Sequence, residues 1–222
     1  MNIIGAGLAG SEAALQLAQR GVHVRLFEMR PETETDVHRG GDCAELVCSN
    51  SLKSTKPESA AGMLKAELTA LGSQLIAVAG RNRVDAGGAL AVDRDEFSAD
   101  VTSLVKENPY IEYRVACVSD PLDTSLGDAD ATILATGPLT SDALAQWLVD
   151  KTGSDNLAFF DAAAPVVMAD SLDMDVLFRQ SRYEQDAPGD YLNAPFDKES
   201  YDAFIAELIA ADRVIKRDFE TK

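Results

Sequence analysis

Residues 2–30 read N-I-I-G-A-G-L-A-G-S-E-A-A-L-Q-L-A-Q-R-G-V-H-V-R-L-F-E-M-R, and this stretch decides the fold. Asn2–Ile4 is a short apolar run that reads as a buried strand. Gly5-Ala6-Gly7-Leu8-Ala9-Gly10 is a glycine-rich turn, and Ser11–Arg20 is a helix rich in alanine and leucine. Gly21 stops that helix and Val22–Phe27 reads as a second strand. In such a turn the first glycine permits the bend, the second lets a diphosphate approach the main chain, and the third lets helix and strand pack closely. The free N–H groups of the helix N-terminus then face the anion. Glu28, 18 residues after Gly10, is placed to accept hydrogen bonds from a ribose, which favours FAD or NAD over NADP. The plain alternative is a glycine-rich turn that binds nothing; the strand before it, the helix behind it and the acid beyond favour a dinucleotide.

The chain has 222 residues, 46% of them apolar, enough for a real core in one large domain or two small ones. No stretch approaches the ~20 apolar residues of a membrane span. The N-terminus starts on a strand with no basic and apolar leader, so a cytoplasmic protein without a membrane partner is expected. Cys43, Cys48 and Cys117 are odd in number and irregularly spaced, which argues against a disulfide framework. With His23 and His38 as the only histidines, no metal site is expected. Residues 1–94 carry 10 Lys+Arg against 11 Asp+Glu, a net of −1, whereas residues 95–222 carry 10 against 26, a net of −16. The second stretch as a whole repels a nucleic acid. Phosphate contacts would come from local patches in the first, such as Lys53 and Lys56 or Arg81 and Arg83, or from another chain, unless these patches are ordinary solvated surface.

Residues 31–57 form a long polar stretch without a clean period, and a loop of that length inside a domain is usually functional. It contains Ala44-Glu45-Leu46-Val47-Cys48-Ser49-Asn50-Ser51-Leu52. Glu58–Leu71 reads as a helix stopped by Gly72, and Leu75–Ala79 as a strand or extended segment. Gly87-Gly88 demands a turn, and Asp93 caps a helix carrying Phe97, Val101, Leu104 and Val105 inward. Ile111–Val118 alternates as a strand with Cys117 on its buried face. Asp130–Pro138 is a strand ending in Ala-Thr-Gly, where Gly137 either lets the chain pass close to a cofactor or simply turns it. Ser141–Val149 is an amphipathic helix. Residues 1–150 are assigned to an α/β, Rossmann-like domain of the two-dinucleotide-binding flavoprotein type. Residues 151–222 are assigned to a smaller acidic α+β inserted unit. In it Leu157–Phe160 and Pro165–Met168 are short apolar runs. Asp197–Asp212 is a capped helix with Tyr201, Phe204, Ile205, Leu208 and Ile209 inward, and Val214–Phe219 is a strand.

Five stretches together resemble one family. They are G-A-G-L-A-G-S-E-A-A, F-E-M-R-P, A-E-L-V-C-S-N-S-L, A-G-G-A-L-A-V-D-R, and G-D-Y-L-N at residues 189–193. In this order they are similar to the folate- and FAD-dependent tRNA (uracil-5-)-methyltransferases, called TrmFO, across nearly the whole chain. The resemblance implies FAD bound at Gly5, Ala6, Gly7, Leu8, Ala9 and Gly10, with Glu28 on the adenosine ribose. It implies methylenetetrahydrofolate as one-carbon donor to C5 of a tRNA T-loop uridine, and NADH or NADPH as reductant of the flavin. Cys48 matches a family cysteine. C5 of uracil is a poor nucleophile until a thiolate adds at C6, and a base must later remove the C5 proton. Cys48 is the candidate for one of these two tasks, nucleophile or proton transfer; the other reading is a loop thiol that only packs against the flavin.

Family members are about twice as long, with a second functional cysteine and the last strand of the nucleotide domain beyond residue 222. The expectation is therefore an N-terminal portion that holds FAD weakly and does not turn over alone, with tRNA contacts from the N-terminal stretch or the absent half. The alternatives are the same chemistry on ribosomal RNA, the sister flavoproteins that modify the wobble uridine, a non-catalytic FAD- or RNA-binding module, and a flavin oxidoreductase acting on a small molecule.

Overall fold

A computed structural model of the chain describes residues 1–33, 35, 37–47, 49–153, 167–181 and 189–212. They fall into two compact units, one over 1–84 and 88–163, the other over 85–87 and 164–222.

The larger unit is built on a parallel sheet of β1 (Asn2–Ile4), β2 (Val24–Glu28), β6 (Ile111–Val115) and β7 (Thr132–Leu134), in the order β6-β2-β1-β7. Ile3 pairs with Leu26 and Ile133, and Glu28 with Val115. Because successive side chains alternate across a sheet, Ile3 and Leu26 meet one set of helices while Ile4 and Phe27 face the other side. On the first side are α1 (Leu8–Gln19), α3 (Gln74–Arg81) and α4 (Arg94–Lys106), contributing Ala14, Leu15, Val78, Phe97 and Val101 to the main core. On the other is α5 (Asp142–Thr152), through Leu144. Helices on both faces of a parallel sheet make this a doubly wound α/β fold, as the sequence pattern implies. A second, antiparallel sheet orders β3 (Ser51–Ser54), β5 (Ala89–Val92) and β4 (Arg83–Val84), with α2 (Ala60–Ala70) following β3.

Three expectations need correction. Leu75–Ala79 is not extended but lies in α3. Ser73 caps that helix by accepting from the Ile76 amide, and the carboxylate of Glu12 on α1 accepts from Ser73 Oγ and from the amides of Gln74 and Leu75, at 3.0, 3.2 and 2.9 Å. An acid at a helix N-terminus is favourable, and this one comes from 61 residues earlier. The Ile111–Val118 strand ends at Val115, and Cys117 is exposed. Its ladder partner β2 stops at Glu28, whose carbonyl accepts from Ala116 N at 2.8 Å; past that bond the alternation fixes no burial. In α6 (Lys198–Ala210), capped by Asp197, the residues Tyr201, Phe204, Leu208 and Ile209 are exposed.

The smaller unit contains α6 and a hairpin of β8 (Phe178–Arg179) with β9 (Leu192–Asn193). These two-residue strands offer α6 no core among the described residues. Its best-defined contacts join two quoted motifs: the Asp190 carboxylate accepts from Gly87 N, and Tyr191 OH donates to Ala86 O at 2.7 Å. The Leu157–Phe160 run, the Val214–Phe219 strand and the first two residues of Pro165–Met168 lie outside the described residues.

Two glycines separate packing from propensity. A Cβ at Gly10 would stand 1.8 Å from the Gly5 carbonyl oxygen, whereas one at Gly80 in α3 meets nothing within 4 Å. Gly10→Ala is expected to cost more than about 4 kcal/mol, and Gly80→Ala to gain about 0.5–1 kcal/mol from helix propensity. Urea unfolding of the two variants reads both signs.

Candidate functional site

A cleft opens at the C-terminal ends of the parallel strands, where doubly wound sheets place their ligands. Ile4, Gly5 and Gly7 form its floor; Phe27–Arg30 with His38, Ala116–Val118, and Ala135, Thr136 and Leu139 form its walls.

The three glycines have different reasons to be glycine. Gly5 has φ +98°, and a Cβ there would lie 2.6 Å from Ala135 O. Gly10 has no room for a side chain because it packs on Gly5. Gly7 has an ordinary φ of −68° and nothing within 4 Å of a Cβ, so neither backbone nor packing requires glycine where it lines the cleft. Helix α1 starts at Leu8, three residues earlier than the sequence suggests, with Gly7 as an N-cap that has no side chain to offer. The first-turn amides of Leu8, Ala9 and Gly10 have no partner within the helix, and no acid sits in that turn. Ala6 is different: its N–H donates to Glu28 Oε2 at 2.8 Å, and its carbonyl accepts from Ser11 Oγ and Ala44 N. Gly137 is exposed at φ +65° and opens a short turn; Ala135 and Thr136 are the residues of that segment that reach the cleft.

Glu28 is 5% exposed and Arg30 3%, and a buried charge needs a partner. Glu28 Oε1 accepts from Arg30 Nε at 2.9 Å and Arg30 N at 3.1 Å. Arg30 reaches on to Glu45 Oε2 at 2.9 Å and to the carbonyl of Asp42 at 3.1 Å. Glu45 in turn accepts from the amides of Arg39 and Gly40. Burial pushes the Glu28 carboxyl up, but the Arg30 hydrogen bond and charge, with the amides of Ala6 and Arg30, outweigh it and hold it below its ordinary value. This Glu28–Arg30–Glu45 cluster ties the cysteine-bearing loop to the end of β2. Arg30 and Glu45 sit in the F-E-M-R-P and A-E-L-V-C stretches, so the signal was present, but nothing local says that the two meet.

The cysteines separate clearly. Cys43 is fully buried, its amide donating to Thr102 Oγ1 at 2.8 Å, and burial pushes its thiol up to about 11. A thiol this far from ionising is inert at neutral pH. Cys117, expected in the core, stands in the cleft wall. Cys48 lies outside the described residues. His38 also lines the cleft, with Nδ1 2.7 Å from Thr35 Oγ1; burial and the Arg30 charge hold its imidazole below the ordinary value. Among the described residues no group of three or more His, Cys, Asp or Glu is placed to hold a metal, and no helix is long and apolar enough to cross a membrane.

Replacing Arg30 tests the cluster. Arg30→Met leaves two largely buried carboxylates without their cation and is expected to cost about 3–5 kcal/mol at neutral pH. Glu28 is depressed in the folded state, so its contribution is present above the ordinary value of 4.5 and is lost as pH falls below it. The variant should lose that acid-side decline, which urea unfolding at a series of pH values reads directly.

The family model for Glucose inhibited division protein A matches residues 1–222. The chain is 50% identical over 220 residues to the methylenetetrahydrofolate–tRNA-(uracil-5-)-methyltransferase TrmFO of Bacillus subtilis, covering 99% of this chain and 49% of that protein. It is 50% identical over 228 residues to TrmFO of Azorhizobium caulinodans, covering 100% and 48%, and 48% identical over 220 residues to TrmFO of Lactobacillus helveticus, covering 99% and 53%. The chain thus spans about half the length of the curated relatives it matches. Among solved structures, GidA of Aquifex aeolicus superposes with a TM-score of 0.49 at 17% identity, covering 62% of this chain and 24% of that one; the fold assignment rests on the sheet and the turn themselves.

Proposed function

Since the chain belongs to the Glucose inhibited division protein A family, we propose that it carries the FAD-binding part of a methylenetetrahydrofolate- and FAD-dependent tRNA (uracil-5-)-methyltransferase. The observation that carries this reading is Gly7. No packing contact and no positive φ requires glycine there, in the lining of the cleft and at the end of α1 that has no side-chain cap. A diphosphate against the main chain supplies the reason. The residues fit FAD: the turn at Gly5–Gly10 would take the diphosphate through the amides of Gly7, Leu8 and Ala9. Glu28 would take the adenosine ribose, since a carboxylate has about four lone-pair sites and retains some after bonding Ala6 and Arg30. Gly137 would serve the turn that brings Ala135 and Thr136 to the cleft.

Bound FAD, reduced by NADH or NADPH, would supply the two electrons that take a methylene unit to the methyl level. The one-carbon unit would come from methylenetetrahydrofolate, leaving tetrahydrofolate, and would be accepted by C5 of a T-loop uridine. Cys48 would either add as thiolate to C6, making C5 nucleophilic, or take part in moving the C5 proton. The inertness of Cys43 supports assigning this task to Cys48 within the same loop. The Arg30 cluster would position that loop beside the flavin site. Cytoplasmic action on tRNA follows from the same reading.

Titration with FAD, followed by flavin absorbance and fluorescence, tests the carrying observation. Gly7→Ala puts its Cβ in open space, so it should cost the apoprotein no more than the loss of a favoured N-cap residue, about 1 kcal/mol, while weakening FAD by about tenfold or more, some 1.4 kcal/mol. Equal FAD affinity in both proteins would remove the diphosphate from this turn. In an assay of 5-methyluridine formation with tRNA, methylenetetrahydrofolate and NADH or NADPH, run on the chain continued to its relatives' full length, Cys48→Ala is expected to slow the reaction by about 10²-fold or more. An unchanged rate would take Cys48 out of the chemistry.

A further inference from the structure

Net charge makes this chain a poor partner for RNA, and the structure shows where that is locally reversed. Strand β3 is irregular between Ser51 and Ser54, and Lys53 sits there at φ +66°. A left-handed backbone at a non-glycine residue is costly and persists where something else requires it. Its side chain is exposed. The ammonium of Lys65 on α2 donates to Ser54 O at 3.1 Å and to Ala61 O at 3.0 Å, one residue along from Lys53. Burial and the charge of Lys53 lower the pKa of Lys65, as expected of two cations brought together. The stem of Lys56 passes over Gly88, where a Cβ would come within 3.2 Å of its Cε. Among the described residues neither Lys53 nor Lys65 makes an ion pair. Of the other basic candidates, Arg81 is paired with Asp100 at 3.8 Å, and Arg83 lies on β4.

We infer that Lys53 and Lys65, with Lys56 beside them, form a docking patch for the phosphodiester backbone of RNA, with Lys53 as its projecting contact. The inference rests on the proposed RNA substrate and gives that substrate a place on this chain. A strained lysine held next to a second cation is destabilising for the free protein and becomes favourable when an anion lies across both. Lys65 is the fixed member, since its ammonium also braces β3 to α2. Lys53 follows Cys48 by five residues in the sequence, so the patch is on the segment leading directly away from the proposed reacting thiol.

Binding of a fluorescent tRNA transcript at several salt concentrations tests it, with FAD affinity and thermal unfolding as controls. Lys53→Gln should weaken RNA about three- to tenfold and make log K against log salt shallower by about 0.7–0.9, the loss of one phosphate contact. Lys53→Arg should retain wild-type binding. Lys53→Gly should lose RNA affinity like Lys53→Gln while raising the unfolding midpoint, because glycine accepts this backbone without strain. Arg81→Gln should change nothing, and FAD affinity should be constant throughout. Wild-type affinity and salt slope in Lys53→Gln would overturn the patch. So would unchanged RNA binding with loss of a pteroylpolyglutamate, which would make the anion a folate tail. Failure of the wild-type chain to bind RNA at all would overturn the patch as well, whereas absence of 5-methyluridine formation by the chain continued to its relatives' full length would overturn the proposed substrate, and these results are distinct.

Discussion

The carboxylate of Glu28 is the interaction on which most of this structure depends. It ends β2, lies out of water, and each oxygen is committed: one to the amide of Ala6 in the glycine turn, the other to Arg30. Taking a carboxylate out of water costs several kcal/mol unless it is matched by charge and hydrogen bonds. The chain therefore has to bring a guanidinium and a main-chain amide to the same place. Once it does, three segments distant in sequence share one origin: the turn at Gly5–Gly10, the end of β2, and the loop that Arg30 holds through Glu45 and the Asp42 carbonyl. An acid in this position is commonly explained by a ligand. Here it first orders the protein, and a ligand would meet what capacity remains.

On the proposed reading, the cleft and the lysine patch would divide the anion-handling between two kinds of donor. At the turn it would fall to main-chain amides and a helix end, which carry only partial charge and hold a group in one geometry. On β3 and α2 it would fall to whole charges on flexible stems, suited to a backbone whose phosphates recur along a strand. The concentration of acid after residue 94 would then leave a polyanion few other places to settle.

The nucleotide-binding half of the fold was legible because its determinants are local. The Asn2–Ile4 strand, the glycine spacing, Gly21 as a stop and Asp93 as a cap each act over a handful of residues. What was not legible was set at a distance. Leu75–Ala79 has the composition of a strand, but Glu12 satisfies the first amides of a helix there, and no window around residue 75 contains that information. Cys117 continues an alternation whose ladder has already ended at Glu28. The inward face assigned to α6 follows from its periodicity, yet periodicity shows only that a helix has an apolar side and not that a core exists to receive it. At the site, the bend at Gly5 and the close packing at Gly10 could be anticipated from spacing. The bracket made by Arg30 and Glu45 needed coordinates, because two charged residues in separate motifs look like surface until they are found facing each other.

The bonds joining Asp190 and Tyr191 to Gly87 and Ala86 span 103 and 105 residues, and this has a consequence for synthesis on the ribosome. At about 5–20 residues per second, the bend between β4 and β5 waits roughly 5–20 s for its partners to be made. During that interval the Ala86 carbonyl and Gly87 amide are bonded to water, and the bend is held only by the short ladder on either side. Completion of this corner is thus a late event in the life of the nascent chain, and a polypeptide stalled before residue 190 would carry an unfinished, protease-sensitive loop between two strands that are already paired.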